Sequence, residues 1–289
     1  MKSRSIISRN ITNAVFKAFV IVVSLIAVVP LILILIYLFQ KGIGQINLNF
    51  FLSGSKPTGE IGGGILNALV GSVLLISIAA LIAVPFGILT GVYLAENKTK
   101  KLASFVRWAV ELLQGVPSIV LGLAGYAWFV LPVAQLSGSR VTFSILAGSL
   151  TLSIMMLPTI IKSTEETVLL VPNTLKEASI ALGVPYYKTM LFVILPASLS
   201  GIMTGVLLGV SRIAGETAPL LFTSFGNPFM NVNVMKPMNS LPLVIFNYAS
   251  SPYKEWHSIA WGASFILIIM ILILNITAKI ISGKWKIKY

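Results

Sequence analysis

Between Lys17 and Lys41 the chain runs through residues 18–40 without one charged side chain. A bilayer core of about 30 Å is crossed by roughly 20 apolar residues at 1.5 Å each. A run of that length and character therefore predicts a membrane-spanning helix. Five more charge-free stretches follow, at residues 61–95, 112–139, 141–161, 189–211 and 258–278. The chain lacks the polar surface to dissolve in water, because only 10% of its residues are charged against about 25% in soluble domains. The expectation is an all-α, polytopic membrane protein with six transmembrane helices.

The individual stretches carry further detail. Residues 18–40 are too long, and too poor in small residues at their end, for a cleaved signal peptide, so they read as a retained helix. The second stretch opens on Gly62-Gly63-Gly64, an interfacial turn, with its helix starting at about Leu66. The third contains Gly115, Pro117, Gly122, Gly125, Pro132 and Gly138, which predicts a short or broken span. Residues 141–161 and 189–211 read as clean fourth and fifth spans, and 258–278 as the sixth.

Basic residues set orientation, because they are retained on the cytoplasmic side. With the N-terminus inside, the inner segments hold Lys2, Arg4, Arg9 and Lys17, then Lys98, Lys100, Lys101 and Arg107. They also hold Lys162, Lys176 and Lys188, and finally Lys279, Lys284, Lys286 and Lys288. The outer segments hold only Lys41, Lys56, Arg140, Arg212, Lys236 and Lys254. Both termini are thus expected in the cytoplasm. The net charge of +13 is topogenic, and nucleic-acid binding is not needed to explain it.

Chemistry is narrowed by absences. All eight acidic residues are Glu, and there is no Asp, no Cys and one His. Disulfides, thiolate metal sites, cysteine nucleophiles and Asp-dependent triads are excluded. His257 stands near the outer end of the sixth span between Trp256 and Trp261, which read as interfacial anchors. Asn275-Ile276-Thr277 matches a glycosylation sequon but falls within the sixth span, and is set aside.

Two segments between spans are long, residues 162–188 and 213–257. In the first, Thr174-Leu175-Lys176-Glu177 has the spacing of a capping box, and Gly183 suits a helix C-terminus that needs positive φ. A helix of about two turns results, too short to be stable alone. It either packs under its own bundle or docks on a partner. Glu177-Ala178-Ser179, three residues, Gly183, nine residues, then Val193-Ile194-Leu195-Pro196 resembles the EAA loop of ABC-importer permeases. Ser179 stands for the usual second Ala and Val193 for the usual Ile. The resemblance implies a type I (MetI-like) permease whose coupling loop, 162–188, seats in an ATP-binding subunit through Glu177, Ala178 and Gly183. It divides the chain into 1–60 (cytoplasmic N-terminus, first helix and outer loop) and a permease core of five helices at 61–289. No GxxxxGK[ST] loop occurs here, so the chain itself carries no cofactor, and ATP and Mg are expected on the partner ATPase.

Charges at or within spans are costly and mark function. Glu111 precedes Leu112-Leu113-Gln114-Gly115-Val116-Pro117-Ser118. Arg212 and Glu216 are i and i+4, so on a continuing helix they pair, either as an ion pair at the outer helix end or as part of a substrate site. Gly215 and Pro219 predict an interrupted backbone, tolerated at depth only in protein or along a cavity. Arg offers a planar fork for an oxyanion, and Glu216 orients it or acts as a latch. Ser118, Thr217 and Thr223 are candidate hydroxyl donors, and each has packing as its competing explanation. Pro117 is read as a hinge near the path or as a bend in a packing helix.

The stretch from Arg212 through Gly215-Glu216-Thr217-Ala218-Pro219-Leu220-Leu221-Phe222 to Thr223 is similar to the permease of phosphate-specific ABC importers, PstA type. So are Gly115-Val116-Pro117-Ser118 with its flanks, Pro172-Asn173-Thr174 through Gly183, and Gly201-Ile202-Met203-Thr204-Gly205. The resemblance implies a bacterial inner-membrane protein that moves inorganic phosphate, with Arg212, Glu216 and Thr217 on the pathway. It implies as partners a sister permease of the PstC type, two ATP-binding subunits and an extracytoplasmic phosphate-binding protein. Alternatives are a permease of this architecture for molybdate or sulfate, and an ATP-independent channel or carrier. An intramembrane enzyme is disfavoured by the lone His.

Overall fold

A computed structural model describes residues 6–57, 60, 62–138 and 142–284. Lys2, Arg4, Arg140, Lys286 and Lys288, used above for orientation, lie outside the described residues, as do positions 61, 139 and 141 at the edges of expected spans. The chain is all-α, with no strand among the described residues. Among the described residues, six helices are long and apolar enough to cross a membrane: Arg9–Gln45, Leu66–Glu96, Ser118–Leu136, Ile145–Leu169, Tyr186–Ala214 and Lys254–Thr277.

The elements are α1 (Ile6–Gly42), α2 (Leu48–Leu52), α3 (Leu66–Glu96), α4 (Lys101–Gly115), α5 (Ser118–Gly125) and α6 (Leu131–Ser137). They continue as α7 (Ile145–Leu169), α8 (Asn173–Ala181), α9 (Tyr186–Thr189), α10 (Leu195–Ala214), α11 (Ala218–Thr223), α12 (Leu241–Ala249) and α13 (Lys254–Lys284). Wide π turns at Tyr126–Val130 and Met190–Ile194 join α5 to α6 and α9 to α10, so each pair forms one bent span.

The third stretch is broken, as its glycines and prolines predict, but the break falls at a specific corner. Val116 and Pro117 are extended, with ψ 129° and 139°, because proline cannot supply the N–H that would carry α4 onward. The membrane helix thus begins at Ser118, and Glu111 to Gly115 belong to α4. That helix is amphipathic: Ala103, Val106 and Val110 pack against α3 and α7, while Leu102, Phe105, Trp108 and Leu112 are exposed.

The fourth span is longer than its charge-free stretch. Helix α7 continues through Lys162, Glu165 and Glu166 to Leu169, since a helix leaving the apolar layer no longer needs apolar side chains. The projecting segment is therefore 170–185, shorter than the expected 162–188.

Small residues bring the helices together. A methyl group at Gly87 of α3 would come 2.7 Å from Ile160, and one at Gly205 of α10 would come 2.3 Å from Ser163. Both neighbours lie on α7. Such close approach takes the place of a hydrophobic driving force between helices in lipid. Helix α7 is accordingly the buried centre of the bundle, with Leu152, Met156 and Ile160 in its core. Helix α1 packs on α13 near its end, where Tyr37 meets Trp261 and Phe39 meets Phe265.

Candidate functional site: a projecting helix and a broken span

Helix α8 stands at the end of the bundle where α3 and α7 finish. Pro172 is its N-cap and no side chain caps it. Thr174 therefore sits inside the helix, and the capping box with Glu177 is not formed. The rigid φ of Pro172 starts the helix one residue ahead of the hydroxyl. The other end follows the sequence reading. Gly183 has φ +79°, its N–H donates to Ile180 O at 2.9 Å, and the Val184 N–H donates to Ser179 O at 3.2 Å. This pair of bonds is a Schellman motif.

Thr174, Glu177, Ala178 and Ala181 share one face and are exposed, with Leu182 and Gly183 beyond them. The opposite face is anchored. Ser179 is buried and its hydroxyl meets that of Thr189 at 2.9 Å, which explains a Ser at this position, and Leu175 packs into the cluster of Val168, Val171, Met190 and Ile194. Helix α8 thus presents Glu177, Ala178 and Gly183 together on a surface this chain does not cover.

The second site is the break after α10. Gly215, with φ −99° and ψ 1°, caps α10, and α11 starts only at Ala218 with Pro219 in its first turn. The helix therefore does not continue through Glu216, and the i, i+4 geometry is lost. Ion pairs among the described residues include Arg107–Glu165 and Lys176–Glu96, but Arg212 and Glu216 form none.

Arg212 lies in the last turn of α10, but that turn is set back from the outer edge of the bundle. Gly205 packs on Ser163, next to Lys162, and Gly209 packs on Met156 and Ile160. Seven residues of helix separate Gly205 from Arg212, about 10 Å along the axis. From the other side, Ser211 Oγ donates to Asn275 Oδ1 of α13 at 3.1 Å, four residues before Lys279. Both registers place Arg212 within the apolar length of the bundle, where its side chain is exposed. Charge alone groups Arg212 with the outer residues, because it does not reveal a break inside a span.

Thr217 and Gly215 line a cavity of about 460 Å³ together with Pro242, Phe246, Ser264 and Leu267. Thr223 is not available as a donor, because its hydroxyl bonds Pro219 O at 2.8 Å. His257 bonds Ser251 O at 2.6 Å, Trp256 stacks on Tyr248 at 4.5 Å, and Trp261 packs on Tyr37, so these groups are tied within the bundle. Sequence reasoning missed Asn275 as a partner of α10. It also missed Lys176 and Arg107, whose partners lie 80 and 58 residues away; no local pattern announces such pairs.

A multi-pass bundle with a broken span and a short helix projecting between its fourth and fifth spans defines the fold of an ABC-importer permease. A solved methionine ABC transporter, MetNI, in an inward facing conformation shares it, with a TM-score of 0.62 over 76% of this chain and 95% of that one at 17% identity. The chain belongs to the family described as binding-protein-dependent transport system inner membrane component, whose model matches residues 83–286. It is similar to the phosphate transport system permease protein PstA of Yersinia pestis, with 42% identity over 89% of this chain and 85% of that protein. Its similarity to the protein of that name from Pasteurella multocida is 40% over 86% of each. The chain is thus a multi-pass inner-membrane component of a transport system.

Proposed function

We propose that the chain is the permease subunit of an ATP-driven importer that brings inorganic phosphate into the cell. The names of its relatives support the substrate, and the family description supports delivery by a binding protein. One geometric observation carries the reading: Arg212 is exposed inside the apolar length of the bundle, with no acidic partner among the described residues. An unpaired guanidinium cannot face hydrocarbon at low cost, so this face borders a second subunit or an aqueous path.

In this reading a PstC-type sister permease completes the path, and one of the two ATPase subunits acts on the exposed face of α8 through Glu177, Ala178 and Gly183. ATP and Mg belong to those subunits. The termini and α8 are cytoplasmic, in accord with the basic residues at that end. Arg212 balances the anion's charge by planar, charge-assisted hydrogen bonds, and Glu216 and Thr217 flank it at the helix break. Binding there is transient, since a deep well would halt release.

The test is the four-part complex of both permeases, ATPase and binding protein in liposomes, assayed with phosphate, sulfate and molybdate side by side. ATP-dependent uptake of phosphate alone supports the proposal. Uptake without the ATPase, or a preference for another oxyanion, overturns it.

A further inference from the structure

Three groups from three elements meet beside α8. Glu96 is the last residue of α3, Lys176 lies on α8 next to Glu177, and Tyr186 opens α9. Lys176 Nζ donates to Glu96 Oε2 at 2.5 Å and to the Tyr186 hydroxyl at 3.2 Å. The Tyr186 hydroxyl donates to the same carboxylate oxygen, and the ammonium stands 4.8 Å from the Tyr186 ring centroid. The Lys176 and Glu96 side chains are only 27% and 22% exposed, so water screens this pair less than it would a surface pair. Glu96, Lys176 and Asn173 also border a polar cavity of about 530 Å³ where α8 meets the ends of α3 and α7.

Helix α3 extends from this cluster to the opposite end of the bundle, unbroken through Pro85. Along the way Ala79, Ala83 and Leu75 pack in the core beside α7. At the far end, Ser72 Oγ accepts the Leu241 N–H at 2.8 Å, and Asn67 Nδ2 donates to Pro228 O at 2.6 Å. One rigid element therefore holds α8 at one end and the segment between α11 and α12 at the other.

We propose that Glu96, Lys176 and Tyr186 form a latch that passes movement of α8 to α3, and that they set how much transport each ATP yields. The proposal rests on the importer reading above. Within it, Glu177 contacts the ATPase while its neighbour Lys176 hands the displacement to the bundle. All three are positioning residues, since none faces Arg212.

The experiment uses the full complex in phosphatidylcholine–phosphatidylglycerol liposomes, with phosphate uptake and ATP hydrolysis measured in parallel. Glu96→Gln and Lys176→Gln are expected to assemble and hydrolyse ATP as the parent does, while phosphate moved per ATP falls about 5-fold or more, the span of a typical coupling energy. The double exchange Glu96→Lys with Lys176→Glu restores most of the ratio, and Lys176→Arg retains it. An unchanged ratio in both single variants overturns the latch, as does loss of assembly together with uptake, which marks a purely structural pair. Absence of ATP-dependent uptake in the parent complex overturns the importer reading instead.

Discussion

Arg107 and Glu165, 58 residues apart, meet at 2.6 Å where α4 crosses α7. The same guanidinium donates to Leu94 O at 2.6 Å, in the last turn of α3, and to Lys98 O at 3.2 Å, in the turn that follows it. One side chain thus fixes three elements below the corner at Pro117. Lysine has no planar fork with which to satisfy all three acceptors. Arg107→Lys is predicted to lose about 1–3 kcal/mol, read as a lower midpoint of thermal unfolding in detergent; an unchanged midpoint would remove Arg107 from this role.

The α8 caps separate two residues that look alike in sequence. Thr174→Ala should leave stability unchanged, because its hydroxyl caps nothing. Ser179→Ala strips the buried Thr189 hydroxyl of its short partner, at a cost of about 1 kcal/mol, and adding Thr189→Val should recover part of it, since removing both partners is milder than orphaning one. Thermal unfolding of the three variants checks this, and a destabilised Thr174→Ala would contradict it.

Gly183 is required by conformation and not by space. Nothing lies within 4 Å of where its Cβ would stand, yet its φ is +79°. Gly183→Ala is predicted to strain the Schellman turn by roughly 1 kcal/mol and to weaken ATPase docking without altering the order of anion preference. Co-purification with the ATPase subunit measures it; full ATP-coupled uptake in the variant would refute the role given to this turn.

The glycine contacts of α10 give a larger effect. Gly205→Val forces branched bulk into Ser163 of α7, where even one methyl would be 2.3 Å away. Overpacking of this kind costs about 1–3 kcal/mol or more. The variant should insert but lose thermal stability, and an unperturbed midpoint would mean that α7 and α10 do not pack as described.

Much of this architecture is legible in the chain because lipid makes charge placement expensive. The six charge-free stretches correspond to the six membrane-length helices, and the Gly183 spacing announces the end of α8. What charge cannot mark is where a helix continues in water, so the Lys162 and Glu165 turn of α7 resembles a loop in sequence. Nor does it mark depth once a span breaks: Gly215 ends α10 early, which separates Glu216 from Arg212 and leaves the arginine inside the bundle. The ties of Ser211 to Asn275 and of Lys176 to Glu96 arise from packing between distant segments, beyond the reach of local periodicity.

The central claim is that Arg212 serves the anion and not the fold. The most direct measurement is ATP-dependent uptake of labelled phosphate by the reconstituted complex carrying Arg212→Gln, with ATPase assembly followed in the same preparation. Uptake is expected to be lost while the complex still assembles. Normal phosphate uptake by a correctly inserted Arg212→Gln complex would contradict it and leave Arg212 a structural charge.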